Sequence, residues 1–311
     1  MSDGSTDKIF VLILNWNGKS DTLECLDSLK EARGSFKTIV IDNGSTDGSV
    51  PIIQARFPEV NLIETGENLG FAEGNNVGIR YALQEGADVV VLLNNDTVVD
   101  PFFLLGFMSQ KEAGILGGKI YLYDKKEHFD HLGGRWNRKK CGFDLIGYRE
   151  KDEGQFSDTT ELDYACGALL WIRKEVFAAI GLLESKFFLI WEESDFCFRA
   201  KRAGFPVMLC TEARIWHKVS ASFKGKSHSN YFFWRNRFLF IERNYPFSEW
   251  LYLFFIILFP KLLKTAKLLV LKKIQLSWRH DVNREEKVKQ YSAALRGAKD
   301  YFLRRFGKSR C

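Results

Sequence analysis

The chain has 311 residues, 46% of them apolar, which suffices for one large α/β core with an appendage or for two small domains. Its net charge of +6 is unevenly spread: residues 251–311 hold 15 Lys and Arg against 4 Asp and Glu, and the preceding residues hold 30 against 35. The six cysteines form no C-x-x-C pair, and the polar start MSDGSTDKIF lacks the apolar run of a signal peptide, so the thiols read as reduced and the cytosol is the expected compartment.

Residues 8–14 (KIFVLIL) form an apolar run bounded by Asn-Trp-Asn-Gly and predict a buried strand. Residues 19–32 carry apolar positions at helical spacing. Residues 36–41 (FKTIVI) predict a second strand, which ends in the dense turn signal Asp42-Asn43-Gly44-Ser45-Thr46-Asp47-Gly48. A short helix near 49–57, a strand at 60–64, a Gly/Asn-rich loop at 65–70 and a helix over 71–86 follow. Residues 88–93 (DVVVLL) read as another fully apolar strand. Apolar strands alternating with helices imply a mostly parallel sheet with helices on both faces, whose ligands bind beyond the carboxyl ends of the strands. The polar clusters Asn15–Asn17, Asp42–Asp47, Asn68–Asn76 and Asn94–Asp96 all fall at that edge.

From 101 to 210 the pattern is mixed. Residues 124–162 are polar and Gly-rich and fit hairpins or a loop; 164–172 (YACGALLWI) predict a strand, and 174–180 and 192–203 predict helices. Beyond about 225 the chain turns helical and aromatic, which suggests a catalytic unit at 1–225 and a basic helical extension at 226–311. The apolar run LYLFFIILFP (251–260) is half the length of a bilayer span, which needs ~20 residues. Lys261, Lys264 and Lys267 follow it. Two readings stay open for this stretch: a basic amphipathic helix lying on an anionic membrane, or a helix packed on the catalytic unit with its lysines in water. No nucleic-acid-binding module accompanies the charge, so a nucleic-acid partner is not expected.

Several residues point to chemistry. Asn94-Asn95-Asp96 ends a strand, where a carboxylate suits a divalent cation shared with phosphate oxygens, or simply an Asx turn. Asp42 is placed to accept hydrogen bonds from a base or ribose, or to build its own turn. Gly66-x-x-x-Gly70-x-x-x-Gly74 permits close backbone approach to a ligand but is not a dinucleotide fingerprint. Gly18-Lys19-Ser20 ends like a P-loop, yet Ile13 stands where its first glycine must be. Glu192, Glu193 and Asp195 cluster at a helix start, which serves the helix dipole or places a carboxylate to deprotonate a hydroxyl. His217, after Ile215-Trp216, is a structural histidine or a metal ligand.

The segments VLILNWNG (11–18), VIDNGSTDGS (40–49), ENLGFAEGNNVGI (67–79), LLNNDTVVDP (92–101), CGALLWIRKEVFAAIGLLES (166–185) and WEESDFCFRAKRAGF (191–205) resemble family 2 glycosyltransferases of GT-A fold, and most of all their rhamnosyltransferase-type branch. The resemblance spans roughly residues 8–245. It implies an inverting, metal-dependent hexosyl transfer from a nucleotide-sugar donor to a lipid-linked or polysaccharide acceptor, with rhamnose on dTDP as the first donor to consider. By the same resemblance Asn15, Asn17 and Asp42 hold the nucleoside, and Asn68, Gly70, Gly74, Asn75 and Asn95 line the donor. Asp96 matches the last residue of the D-x-D motif that holds Mg2+ or Mn2+, and His217 matches a late metal-ligating histidine. Glu193 matches the second acid of the E-D-x-D motif, the general base, with Glu192 and Asp195 orienting the helix or the acceptor. Two positions depart from the pattern: Asn94 replaces the first carboxylate of D-x-D, and Glu193 is one methylene longer than the usual Asp.

A lipid-carried acceptor implies work at the inner face of the cell membrane, with the protein peripheral to it. Two competing functions remain at this stage. A sugar nucleotidyltransferase would carry a Gly-rich, Arg-containing loop after the first strand, which Asn15-Trp16-Asn17-Gly18-Lys19 is not. A catalytically inactive scaffold of the same fold at a membrane surface is favoured by Asn94 and opposed by Asp96 and Glu193.

Overall fold

The structure is a computed structural model that describes residues 7–110, 113–158, 160–219, 225–278 and 281–309. Its first half follows the predicted order: β1 (Ile9–Asn15), α1 (Lys19–Lys30), β2 (Lys37–Asp42), α2 (Ser49–Arg56), β3 (Asn61–Glu64), α3 (Gly70–Gln84) and β4 (Val89–Asn94). The second half adds β5 (Thr97–Val99), α4 (Phe103–Met108), β6 (Ile115–Leu122), β7 (Gly134–Asn137), β8 (Gly142–Leu145), β9 (Thr160–Glu161), β10 (Leu169–Arg173), α5 (Lys174–Ile180), α6 (Glu192–Arg202) and β11 (Val207–His217). The chain then becomes helical in α7 (Gly225–Asn244), α8 (Phe247–Leu253), a π-helical turn (Phe254–Leu258), α9 (Phe259–Trp278) and α10 (Val282–Phe302).

The central sheet runs β3-β2-β1-β4-β10-β6-β11-β5, with β9 on β11. Its β3-β2-β1-β4 half is parallel throughout. The other half is mixed: β10 runs antiparallel to β4 and β6, β6 and β11 are parallel, and β5 and β9 are antiparallel to β11. The parallel register pairs Asn15 with Asp42 and Leu14 with Asn94, so the polar strand ends stand level at one edge.

Side chains alternate across the strands and feed two cores. Phe10 and Leu12 of β1 pack with Ala72 and Ile79 of α3, Phe177 of α5 and Phe196 of α6. Ile9, Val11 and Ile13 pack on the other face with Leu26 of α1, Ile53 of α2 and Phe103 of α4. Helices therefore cover both faces, as the apolar strands required. Gly74 and Gly78 let α3 lie close to the sheet: a Cβ at Gly74 would stand 2.6 Å from Leu14 and one at Gly78 2.6 Å from Ile41.

The polar segment 124–162 contains the two-stranded β7–β8 ribbon and β9. The C-terminal helices pack on the sheet unit rather than standing apart from it. Phe238, Phe240 and Ile241 of α7 share a core with Phe187 and Trp191, just ahead of α6, and with Tyr301 of α10. Among the described residues no helix is long and apolar enough to cross a membrane.

Candidate active site

The four polar clusters and the start of α6 meet at a cavity of about 730 Å3 at the carboxyl edge of β1 and β4. Asn68 and Gly70 line it from the loop ahead of α3, and Asn95 and Asp96 from the turn after β4. Glu192 and Glu193 enter from the first turn of α6, and His217 from the end of β11.

The other expected site residues build this edge without lining the cavity. Asn15 is fully buried; its Nδ2 donates to Asp42 Oδ2 at 2.8 Å, and its Oδ1 accepts from Thr22 Oγ1 at 2.9 Å. Asp42 also accepts from the Ser45 backbone N–H at 2.9 Å. Asn17, in the left-handed region at φ 52°, accepts from the Thr46 backbone N–H at 2.7 Å. These bonds tie the turn after β1 to the turn after β2. Asn95 joins them by donating to Thr22 Oγ1 at 3.0 Å. Asn75 is buried in α3 and donates to the Phe71 carbonyl at 2.9 Å. Asp195 is fully buried and accepts from Arg199 Nε at 2.8 Å, Asn244 Nδ2 at 2.9 Å and Arg243 Nε at 3.0 Å.

The cavity also contains Trp16 and Asn43, which fall within the polar clusters read from the sequence, and residues that sequence reasoning did not single out: Asp130, His131 and the run Phe188–Ile190. Asn43 Oδ1 accepts from the Leu69 backbone N–H at 3.0 Å, and its Nδ2 donates to the Gly70 carbonyl at 3.1 Å, which shapes the loop ahead of α3. Asp130 and His131 lie in the polar segment 124–162, where the Tyr121–Phe129 bridge and the bond from the Asp130 backbone N–H to the Ile120 carbonyl at 2.8 Å hold them against β6.

His217 is the electrostatic centre. Its Nε2 lies 3.1 Å from Asp96 Oδ1 and its Nδ1 lies 3.0 Å from Asp130 Oδ2. Burial favours the neutral ring, but the hydrogen bonds to Asp130 and Asp96 overcome it and push the pKa up to about 10. Burial pushes the proton affinity of the neighbouring His131 down, against the pull of Asp130 and Glu193. Glu192 is buried, and both burial and the charge of Glu193 hold its carboxyl far above the usual range. Glu193 is half-buried; burial raises its proton affinity too, and backbone hydrogen bonds and His131 work against the rise. A half-buried carboxylate with raised proton affinity, open to a cavity, is suited to taking a proton from a substrate hydroxyl. Among the described residues Cys25, Cys141, Cys166, Cys197 and Cys210 form no disulfide, and burial pushes Cys166 up to about 12.

The fit to a divalent cation rests on two side chains. Asp96 offers a carboxylate, and His217 would offer Nε2 once a cation displaces the ring proton that Asp96 and Asp130 stabilise, with Asp130 left on Nδ1 to orient the ring. Among the described residues no group of three or more His, Cys, Asp and Glu side chains is arranged to hold an ion. Mg2+ at a nucleotide is held by one or two carboxylates with phosphate oxygens and water, and Asp96 supplies such a carboxylate.

The chain is 25% identical over 251 residues to the dTDP-rhamnosyl transferase RfbF of Shigella flexneri, covering 76% of this chain and 81% of that one. It is 24% identical over 210 residues to the N-acetylglucosaminyl-diphospho-decaprenol L-rhamnosyltransferase of Mycobacterium tuberculosis, covering 59% of this chain and 67% of that one. Its fold matches a mannosyltransferase from Pyrobaculum calidifontis, solved with GDP-Man and Mn2+, at a TM-score of 0.58 and 13% identity, covering 97% of this chain and 88% of that one. The family model of Glycosyl transferase family 2 matches residues 10–181, more than half of the sequence. With the sheet edge, the loop ahead of α3 and the acidic start of α6 converging on one cavity, the chain belongs to glycosyl transferase family 2.

Proposed function

We propose that this glycosyltransferase moves rhamnose from dTDP-rhamnose, with inversion, to a hydroxyl of a lipid-linked glycan in cell-surface glycan synthesis. The observation that carries the reading is the placement of Glu193 and the Asp96–His217 pair in one cavity with the donor-loop residues Asn68 and Gly70. The rhamnosyltransferase relatives support the donor and a diphosphate-lipid acceptor. Asn68, Gly70, Asn95 and Asn43 cradle the nucleotide sugar, while Asn15, Asn17, Asp42, Gly74 and Asn75 hold the shape of that cradle. Glu193 takes the proton from the acceptor hydroxyl. The acceptor oxygen bonds to the anomeric carbon as the bond from that carbon to the diphosphate breaks, and dTDP leaves with the electron pair from the opposite face. Asp96 and His217 would hold Mg2+ or Mn2+, which when bound offsets the charge on the departing diphosphate.

A thermal-shift series with dTDP, UDP and GDP, each with and without Mn2+, tests the donor site. dTDP at 100 times its dissociation constant should stabilise the chain by about 2.7 kcal/mol. We expect the gain to require metal and to vanish in Asp96→Ala. No stabilisation by any nucleotide in a folded sample would return weight to the inactive scaffold.

The C-terminal helices fit the inner surface of the cell membrane. Tyr252, Ile256, Phe259, Leu263, Val270 and Ile274 recur at helical spacing and are all exposed, Ile256 at 59% and Val270 at 56%. Lys264, Lys267 and Lys273 are exposed on α9, which carries Phe259, Leu263, Val270 and Ile274 of that stripe. An apolar stripe flanked by lysines, on a helix of about 30 Å, suits the interface of an anionic bilayer. The double substitution Leu263→Glu/Val270→Glu should lower co-sedimentation with vesicles containing phosphatidylglycerol at least tenfold. Equal sedimentation of the two proteins would dismiss this face as the contact.

A further inference from the structure

The start of α6 is reached through an unusual stretch of backbone. Phe188, Ile190 and Trp191 all have left-handed φ, at 64°, 70° and 82°, within four residues of one another and directly ahead of Glu192 and Glu193. Side-chain-bearing residues disfavour that region, and such a run persists only where its surroundings over-determine it. Those surroundings come from α7. Asn236 Nδ2 donates to the carbonyls of Phe187 at 2.8 Å, Leu189 at 2.8 Å and Ile190 at 2.7 Å. Arg235 Nη2 donates to the carbonyls of Phe187 at 2.7 Å and Lys186 at 3.2 Å, while its Nε donates to Asn236 Oδ1 at 2.9 Å and fixes the amide. Both side chains are fully buried. One turn earlier, Phe232 stacks on Phe188 with ring centroids 5.5 Å apart and an interplanar angle of 13°.

The held segment touches both halves of the site. Phe188, Leu189 and Ile190 line the cavity. The Phe188 carbonyl accepts from the Phe71 backbone N–H at 2.6 Å, at the start of α3 and beside the donor loop. A Cβ on Gly70, whose φ is +82°, would stand 2.5 Å from that carbonyl oxygen, so loop and donor helix are in direct contact. At the other end, the Trp191 carbonyl accepts from the Asp195 backbone N–H at 2.9 Å, which closes the first turn of α6.

We infer that Arg235 and Asn236 are positioning residues for glycosyl transfer: through the 187–191 backbone they set Glu193 against the donor loop, and α7 is thereby a working part of the active site rather than an appendage. The inference rests on the transfer reading given above. One amide whose two N–H groups are shared among three carbonyls of a strained loop is more than packing requires, since an apolar side chain of equal volume would fill the same space but leave those carbonyls without the donor.

The test compares three full-length variants. Asn236→Leu keeps the volume and removes the donors. Asn236→Gln restores an amide one methylene further out. Arg304→Ala removes the exposed ion pair of Arg304 with Glu242, at 2.7 Å, in the same helical unit, with no hydrogen bond from its side chain to the loop carbonyls among the described residues. Two quantities are read: hydrogen exchange of peptides covering 185–195, and dTDP release from dTDP-rhamnose beside the dissociation constant for dTDP. Asn236→Leu should lose protection at 187–191 and lower kcat at least tenfold, with dTDP affinity held within about threefold. Asn236→Gln should recover part of that kcat, and Arg304→Ala should change neither quantity. Wild-type kcat in folded Asn236→Leu, or unchanged exchange at 187–191, overturns the inference. Should Asn236→Leu fail to fold, Phe232→Leu takes its place with a several-fold fall in kcat expected, and a wild-type value again overturns it. Absence of dTDP release by the wild-type chain speaks against the transfer reading instead, and the exchange measurement still judges the clamp.

Discussion

Replacing Glu193 with Gln is expected to slow glycosyl transfer by roughly 10²–10⁴-fold, the range for loss of a positioned general base. The amide has nearly the same volume, so the cavity wall and the first turn of α6 should survive, and dTDP affinity should stay within a few-fold. The pH profile sharpens the expectation. Burial raises the proton affinity of Glu193, so its carboxylate is lost as pH falls through a value above the ordinary 4.5. Transfer by the wild-type chain should therefore show an acidic limb above that value, and the limb should be absent from the residual activity of Glu193→Gln. Stability should move the other way. A carboxyl whose folded pKa is raised binds its proton more tightly in the folded state, so it contributes stability at low pH that is lost as pH rises through the folded pKa. Relative to wild type, Glu193→Gln should gain stability with rising pH. A variant that transfers at the wild-type rate would remove Glu193 from the chemistry.

Half of this architecture was legible because its signals are local. The strands β1 and β4 are unbroken apolar runs and β2 carries the run Ile39–Ile41, each ending in Asn or Asp, and a parallel register lines up such ends without further information. The other half depends on long-range pairing. β6 carries Gly117 and Gly118 in its centre, which weakens its strand pattern, yet a Cβ at Gly118 would stand 2.6 Å from Leu169 of β10 and 2.8 Å from the Ala213 carbonyl of β11. β11 changes register between Leu209 and Arg214, which breaks its alternation. The site divides in the same way. Asp96, Glu193 and His217 sit at element ends where polar residues show against apolar runs. Asp130 and His131 stand in a weakly periodic segment and reach the cavity by pairing of that segment with β6. Asn236 and Arg235 lie inside a helix whose aromatic and basic composition reads as a surface feature, and only its packing shows what they hold.

Asp195 illustrates the limit of reading a motif by position alone. Its place in the acidic start of α6 suggested orientation of helix or acceptor, and its surroundings favour an anchor for the helix. It is fully buried, and its carboxylate is shared by Arg199 of α6 and by Arg243 and Asn244 at the end of α7. Asp195→Ala would leave two cations facing one another across the gap, and removal of one partner from a buried ion pair costs about 3–5 kcal/mol. Because Arg243 keeps 27% of its side-chain exposure and can reach water, the lower end of that range is expected, measured by denaturant unfolding. In Arg243→Ala the carboxylate keeps Arg199, so that loss should be smaller, and the double variant should cost less than the sum of the two, because the second change removes a charge the first has already stranded. Transfer by the folded fraction of Asp195→Ala should fall far less than in Glu193→Gln, since Asp195 does not line the cavity. A loss as large as that of Glu193→Gln, in a protein as stable as wild type, would place Asp195 in the chemistry and leave the junction of α6 and α7 to be held by the loop contacts of Arg235 and Asn236.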